Sequence, residues 1–126
     1  MKVDISQVYK TIVITRDKTG KPVLAVVPGN CKVDLRLLSE AVGEKKLHIP
    51  TERETEEITG LRAGGISPLA LINKGFQVVI DSSARHFAEI HISGGQRGLN
   101  IRLPVADLAI LTKARFAAIS HPSQDE

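Results

Sequence analysis

Three short stretches carry the residues most able to do chemistry. The first is QVYKTIVIT, residues 7–15, where Lys10 interrupts a β-branched run. Strand side chains alternate between two faces. Val8, Lys10, Ile12 and Ile14 therefore share one face, and Tyr9, Thr11, Val13 and Thr15 share the other. Lys10 lies on the more apolar of the two. An ammonium there either carries its head out to water along its own stem or is held in a pocket, where it recruits an anionic or carbonyl-bearing ligand. The second and third stretches are RAGGISP (62–68) and HISGGQRGLN (91–100). Glycine admits positive φ and close backbone approach, and N–H groups bared in such loops form anion and oxyanion sites. A lone glycine pair is most simply a turn. Two such loops, the second with Arg97 set between Gly95 and Gly98, argue for a site. Ser67 and Ser93 sit in these loops as hydrogen-bond donors for a ligand.

Several chemistries are excluded or weakened by spacing. GGQRG matches neither GxxxxGK[ST] nor GxGxxG, and a strand rather than a helix is expected after it. No GxSxG elbow is present, so a serine nucleophile is not indicated. His48, His86, His91 and His121 show no metal-ligand spacing with Cys or acidic residues, so zinc is not expected. Cys31, the one cysteine, cannot form an internal disulfide and reads as a bystander thiol in a reducing cytoplasm. Aromatic residues make up only 3% of the chain, too few for nucleic-acid binding by base stacking. A net charge of +3 permits an anionic partner without requiring one. No apolar run approaches the ~18 residues of a membrane span, and the start is not a signal peptide.

The elements that must position these residues follow from local patterns. With 126 residues, a single domain over 1–126 is expected, with an aliphatic core. Residues 7–15 and 22–28 read as strands joined by a hairpin loop at 16–21, and 76–81, 87–93 and 99–104 read as further strands. Residues 34–43 read as a helix capped by Asp34 and stopped by Gly43. Residues 51–60 read as a polar helix with a Thr51–Glu54 capping box and Gly60 at its end. Residues 105–114 read as a closing helix, and the tail SHPSQDE as frayed. Strands outnumber helices and the connections are short, so an α+β fold around a curved, mixed sheet or barrel is expected.

Taken in order, QVYKTIVI (7–14), CKVDLRLLSEAVGEKK (31–46), TGLRAGGISPL (59–69), VVIDSSARHFAEIHISGGQRGLNIRL (78–103) and DLAILTKARFAAI (107–119) resemble the YbaK/prolyl-tRNA-synthetase-associated domain family. The resemblance spans nearly the whole chain. It implies a central, largely antiparallel barrel-like sheet with flanking helices. It also implies an aminoacyl-tRNA editing hydrolase, a deacylase that cleaves the ester of a mischarged tRNA without metal or other cofactor, cysteinyl- or alanyl-tRNA for proline being the usual substrates. Lys10 matches the family's key lysine. Gly64, Gly65, Ile66, Ser67 and Pro68 match its GGISP loop. Ser93, Gly94, Gly95, Arg97 and Gly98 match its SGGxRG loop. Asn100 stands where relatives often have aspartate, keeping a hydrogen-bonding group and losing the charge.

In the picture the resemblance implies, backbone N–H groups and Lys10 close on the aminoacyl ester and its oxyanion, and Lys10 serves as that cation or orients the terminal adenosine. Either water or a substrate thiol attacks. The family's N-terminal helix and strand have no counterpart in the nine residues before Lys10. The pocket is then expected to be open on one side or completed by another chain, which makes a homodimer an expectation. The expected partners are aminoacyl-tRNA and a synthetase, with Arg62, Arg97 and Arg102 as candidate phosphate contacts; the expected setting is cytoplasmic, with no membrane. The alternative function is a catalytically impaired module that binds aminoacyl-tRNA 3′ ends or a related small ligand.

Overall fold

The computed structural model describes residues 7–16, 21–61, 66–71, 74–93 and 100–122. Among the described residues, nine strands and three α-helices follow one another: β1 (Tyr9–Arg16), β2 (Val23–Pro28), β3 (Cys31–Val33), α1 (Leu35–Val42), β4 (Leu47–His48), α2 (Glu52–Thr59), β5 (Gln77–Asp81), β6 (Glu89–Ser93), β7 (Asn100–Pro104), α3 (Val105–Thr112), β8 (Arg115–Ala117) and β9 (Ser120–Pro122). The main sheet runs β4-β1-β2-β5-β8, and β3-β9 and β6-β7 form two smaller ribbons. β1 pairs antiparallel with β2 in the register Tyr9↔Pro28 to Ile14↔Val23. β2–β5 and β5–β8 are parallel, each reached by a crossover that passes over a face of the sheet. Parallel strands covered on both faces read as unbroken apolar runs, and all six residues of β2 are buried.

The alternation within β2 divides two cores. Leu24 and Val26 point with Tyr9, Val13, Val78 and Ile80 toward the β6–β7 ribbon and α3, meeting Ile90, Ile92 and Leu108. Val23, Ala25 and Val27 point with Ile14 and Val79 to the opposite side, meeting Leu38 of α1 and Ile119. Leu38 is fully buried, so truncation to alanine is expected to cost about 2–5 kcal/mol. Because each face is covered by its own layer, the apolar surface is buried without curling the sheet on itself. The α+β expectation holds. The barrel does not: among the described residues β4 and β8 are the ends of an open sheet.

Local signals set the helix boundaries. The Leu37 N–H donates to Asp34 Oδ1 at 3.1 Å, and Gly43 takes the left-handed stop at φ 73°. The Glu54 N–H donates to Thr51 Oγ1 and the Thr51 N–H donates to Glu54 Oε1, which completes the capping box. α3 stops at Thr112 because Lys113, a non-glycine residue, adopts φ 56°; no glycine marks this end, so the expected helix over 105–114 is too long. The expectation of a frayed tail is corrected for its first residues. Ser120–Pro122 pairs antiparallel with Cys31–Val33, and the Asp34 N–H donates to the Ile119 carbonyl at 2.7 Å. β3 offers a free edge that the tail satisfies.

Candidate functional site

β1 is held firmly at both ends and left open between them. At its start the Gly29 N–H donates to the Val8 carbonyl at 2.7 Å. A Cβ on Gly29 would lie 3.2 Å from that same oxygen, which explains a glycine there. Val8 also forms a parallel bridge to His91 of β6. At its far end β4 pairs only with Thr15 and Arg16. Arg16 is fixed by Glu44 at 3.4 Å and by Gln77 Oε1. On this side, the stretch from Lys10 to Ile14 has no ladder partner among the described residues.

A groove occupies the opening. One part, about 300 Å³, is lined by Lys10, Ile12, Lys32, Val33, Ile49 and His121. Lys10 is half-buried, and its ammonium makes no hydrogen bond or ion pair with another described residue. His121 Nδ1 lies 3.2 Å from Asp34 Oδ2. Asp34 is held below the ordinary carboxylate range, first by the Leu37 N–H and then by His121. Thus Lys10 is neither in the closed core nor in open solvent. Its face of β1 becomes core only at Ile14; over residues 9–13 the Tyr9–Thr11–Val13 face is the more deeply buried.

The second part, about 250 Å³, is lined by residues that include Thr11, Ile12, Ile49, Glu52, Thr55 and Ile66. Ile12 and Ile49 belong to both parts, so they adjoin. Ile49 is 57% exposed and caps the junction loosely. Thr11 is 9% exposed, and its hydroxyl is buried with no hydrogen-bond partner among the described residues. Glu52 stands in the first turn of α2. Its neighbour Glu54 is committed to the capping box, which lowers its pKa through the Thr51 N–H, whereas Glu52 has no partner among the described residues.

Of the residues singled out from sequence, the fold brings Lys10 and Ile66 to neighbouring cavities that share Ile12 and Ile49. Ser67 is fully buried, and its Oγ accepts the Leu69 N–H at 3.2 Å, so it shapes the turn that carries Ile66. Pro68 is buried beside it. Ser93 and Asn100 are register partners at the end of the β6–β7 ribbon, and Gly94, Gly95, Arg97 and Gly98 stand between them in the sequence. Those four residues, with Arg62, Gly64 and Gly65, lie outside the described residues. Arg102 is exposed and ion-paired to Glu89 at 3.4 Å, and lines neither part of the groove. Thr11 and Glu52 had no signal in the sequence: alternation assigns Thr11 a face but not a partner, and Glu52 looks like any solvated helix glutamate.

Deeper in the fold, on the face of β1 that also carries Thr11, the polar group of Tyr9 is fully engaged. Tyr9 Oη lies 2.7 Å from Ser83 Oγ, Ser83 donates to Asp81 Oδ2, and Asp81 Oδ1 accepts the Ile119 N–H at 2.9 Å. Burial pushes the Tyr9 phenol above its ordinary value; the Ser83 hydrogen bond opposes this and the Asp81 carboxylate adds to it.

A family model described as an aminoacyl-tRNA editing domain matches residues 1–111. A protein of Enterococcus faecalis (strain ATCC 700802 / V583), provisionally designated a Cys-tRNA(Pro)/Cys-tRNA(Cys) deacylase, EbsC, is 36% identical over 118 residues, which are 94% of this chain and 71% of that protein. The proline–tRNA ligase of Brachyspira hyodysenteriae (strain ATCC 49526 / WA1) is 24% identical over 90 residues, 71% of this chain and 15% of the ligase. A crystal structure provisionally designated a trans-editing enzyme for prolyl tRNA synthetase superposes with a TM-score of 0.81 at 28% identity, covering 94% of this chain and 73% of its own.

Proposed function

The chain belongs to the aminoacyl-tRNA editing domain family, and from that premise we propose that it acts in trans as a deacylase, hydrolysing the ester between a wrong amino acid and the 3′ end of a tRNA. Cysteinyl- and alanyl-tRNA for proline are the substrates proposed, and prolyl-tRNA synthetase the enzyme whose errors it corrects. The observation that carries this reading is the groove at the open edge of β1, where an uncommitted ammonium, Lys10, adjoins a cavity walled by Ile66 of the GGISP segment.

The chemistry needs little more. A water, or the thiol of a cysteinyl substrate, attacks the ester carbonyl and yields a tetrahedral oxyanion. Lys10 stabilises that charge, joined by backbone N–H groups of Gly64, Gly65, Gly94 and Gly95. The intermediate collapses with loss of the ribose oxygen, which takes up the proton released by the attacking group. With water the products are the free amino acid and tRNA; with the thiol, a thiolactone and tRNA. Preorganised donors act on charge that exists only in the transition state, so each typically contributes ~2.7–4 kcal/mol to the barrier reduction. Arg62 and Arg97 are proposed as phosphate contacts, which makes tRNA binding weaken with salt.

The test is ester loss from Cys-tRNA(Pro) and Ala-tRNA(Pro) under purified wild type and Lys10→Ala. Wild type is expected to release the amino acid well above the spontaneous rate, and the variant to fall close to it. Equal rates at background, with an amide analogue still bound, would leave a binding module in place of an enzyme.

A further inference from the structure

The two parts of the groove differ in charge. At the β3–β9 end stand the cations Lys10 and Lys32, with His121 held against the Asp34 carboxylate. At the α2 end stand the exposed Glu52 carboxylate, at the rim, and the orphaned Thr11 hydroxyl, with Ile12, Val13, Ile49 and Ile66 as apolar neighbours. A buried hydroxyl without a partner is a liability for the folded chain, and a chain carries such a liability most readily where a ligand relieves it. Threonine at this position offers a donor and an acceptor. Glu52 offers only acceptors, uncommitted among the described residues although Glu54 two positions on is bound into the cap. A site of that composition suits a primary ammonium attached to a small side chain.

We propose that the cavity between β1 and α2 is the subsite for the α-ammonium of the aminoacyl group, with Glu52 as its counter-ion and Thr11 as its second hydrogen-bond partner. This rests on the deacylase reading above. The ligand then lies along the groove in one direction only. The ammonium sits on Glu52 and Thr11, the ester beside Lys10 and Ile12, and the phosphate side of the terminal nucleotide toward Lys32 and His121. The small side chain meets Val13 and Ile66. The groove thereby recognises an α-aminoacyl ester as such, and an ester of a simple carboxylic acid lacks half of the contacts.

Two amide-linked probes test this by calorimetry: 3′-(L-alanylamino)-3′-deoxyadenosine and its counterpart with a propanoyl group, which lacks only the amine. Wild type is expected to prefer the amine-bearing probe by roughly ten- to a hundredfold, the ordinary worth of a charge-assisted hydrogen bond. Glu52→Gln is expected to erase that preference while leaving the propanoyl probe unaffected. Thr11→Val is expected to weaken the amine-bearing probe several-fold and at the same time raise the melting temperature, because the orphaned hydroxyl is gone. Thr11→Ser keeps the hydroxyl and is expected to keep the affinity. A preference that survives Glu52→Gln overturns the proposal, as does a Thr11→Val protein that is more stable and binds both probes as wild type does. If wild type binds neither probe and releases no amino acid from charged tRNA, the deacylase reading falls with it; ester hydrolysis that Glu52→Gln leaves untouched removes only the subsite.

Discussion

Two polar regions flank β1, and they are built on opposite terms. Inside the fold, Tyr9, Ser83 and Asp81 satisfy one another and tie β1, β5 and the segment before β9 together through the Ile119 N–H. At the open edge, Lys10 and Glu52 have no partner among the described residues and Thr11 buries a hydroxyl with none. Both regions reach β1 within three consecutive residues, Tyr9, Lys10 and Thr11. A closed network lowers the energy of the folded chain; an unsatisfied set leaves hydrogen-bonding capacity for something that is not part of the chain. The difference separates residues that hold the fold from residues that use it.

That separation is open to direct attack. Lys10→Ala should have the largest effect, a loss of about 10²–10³ in the deacylation rate. Its unfolding free energy should stay within about 0.5 kcal/mol of wild type in a urea titration. Asp81→Ala should do the reverse. It strands the Ile119 N–H and removes the acceptor of the Ser83 hydroxyl, and should lower stability by roughly 2–4 kcal/mol; turnover per folded molecule should remain near wild type. If Asp81→Ala disables folded protein as thoroughly as Lys10→Ala, the two regions are one machine and the distinction collapses.

Thr11→Val should move stability in the opposite direction to Asp81→Ala, with a gain of about 1 kcal/mol. A loss of that size would mean that the hydroxyl has a partner in solution after all. Tyr9→Phe should cost about 1 kcal/mol at neutral pH through the lost bond to Ser83. It also carries a pH signature. Burial raises the folded-state pKa of Tyr9 above the ordinary 10.0, so above pH 10 the unfolded chain loses a proton that the folded chain retains. The stability contribution is complete below that pH and declines as pH rises through the folded value. Removing the phenol should flatten this alkaline limb, and identical limbs in both proteins would show that Tyr9 is not the group responsible.

Much of the scaffold was legible from local chemistry. Asp34, Gly43, Thr51 with Glu54, and Gly60 each act within one helical turn, and each does what its residue type requires. The strand at 22–28 was readable from its unbroken apolar run. Less local features were not. The tail at 120–122 is ordered by a strand nearly the whole chain away, and Lys113 ends α3 without any glycine to announce it. The groove was half legible: Lys10 stood out because a charge interrupts a greasy run, while Thr11 and Glu52 are unexceptional residue types in unexceptional places.

Residue order alone settled the boundaries of α1 and α2, the first two strands, which side of β1 each side chain takes, and that Lys10 is exceptional on its face, because these depend on backbone geometry and neighbours within a turn or two. Tertiary structure alone decided that the sheet stays open, that β4 is too short to cover Lys10–Ile14, and that a threonine and a glutamate from distant segments share one cavity. Whether a polar group has a partner is a property of everything packed around it, and alternation along a single strand carries no information about that.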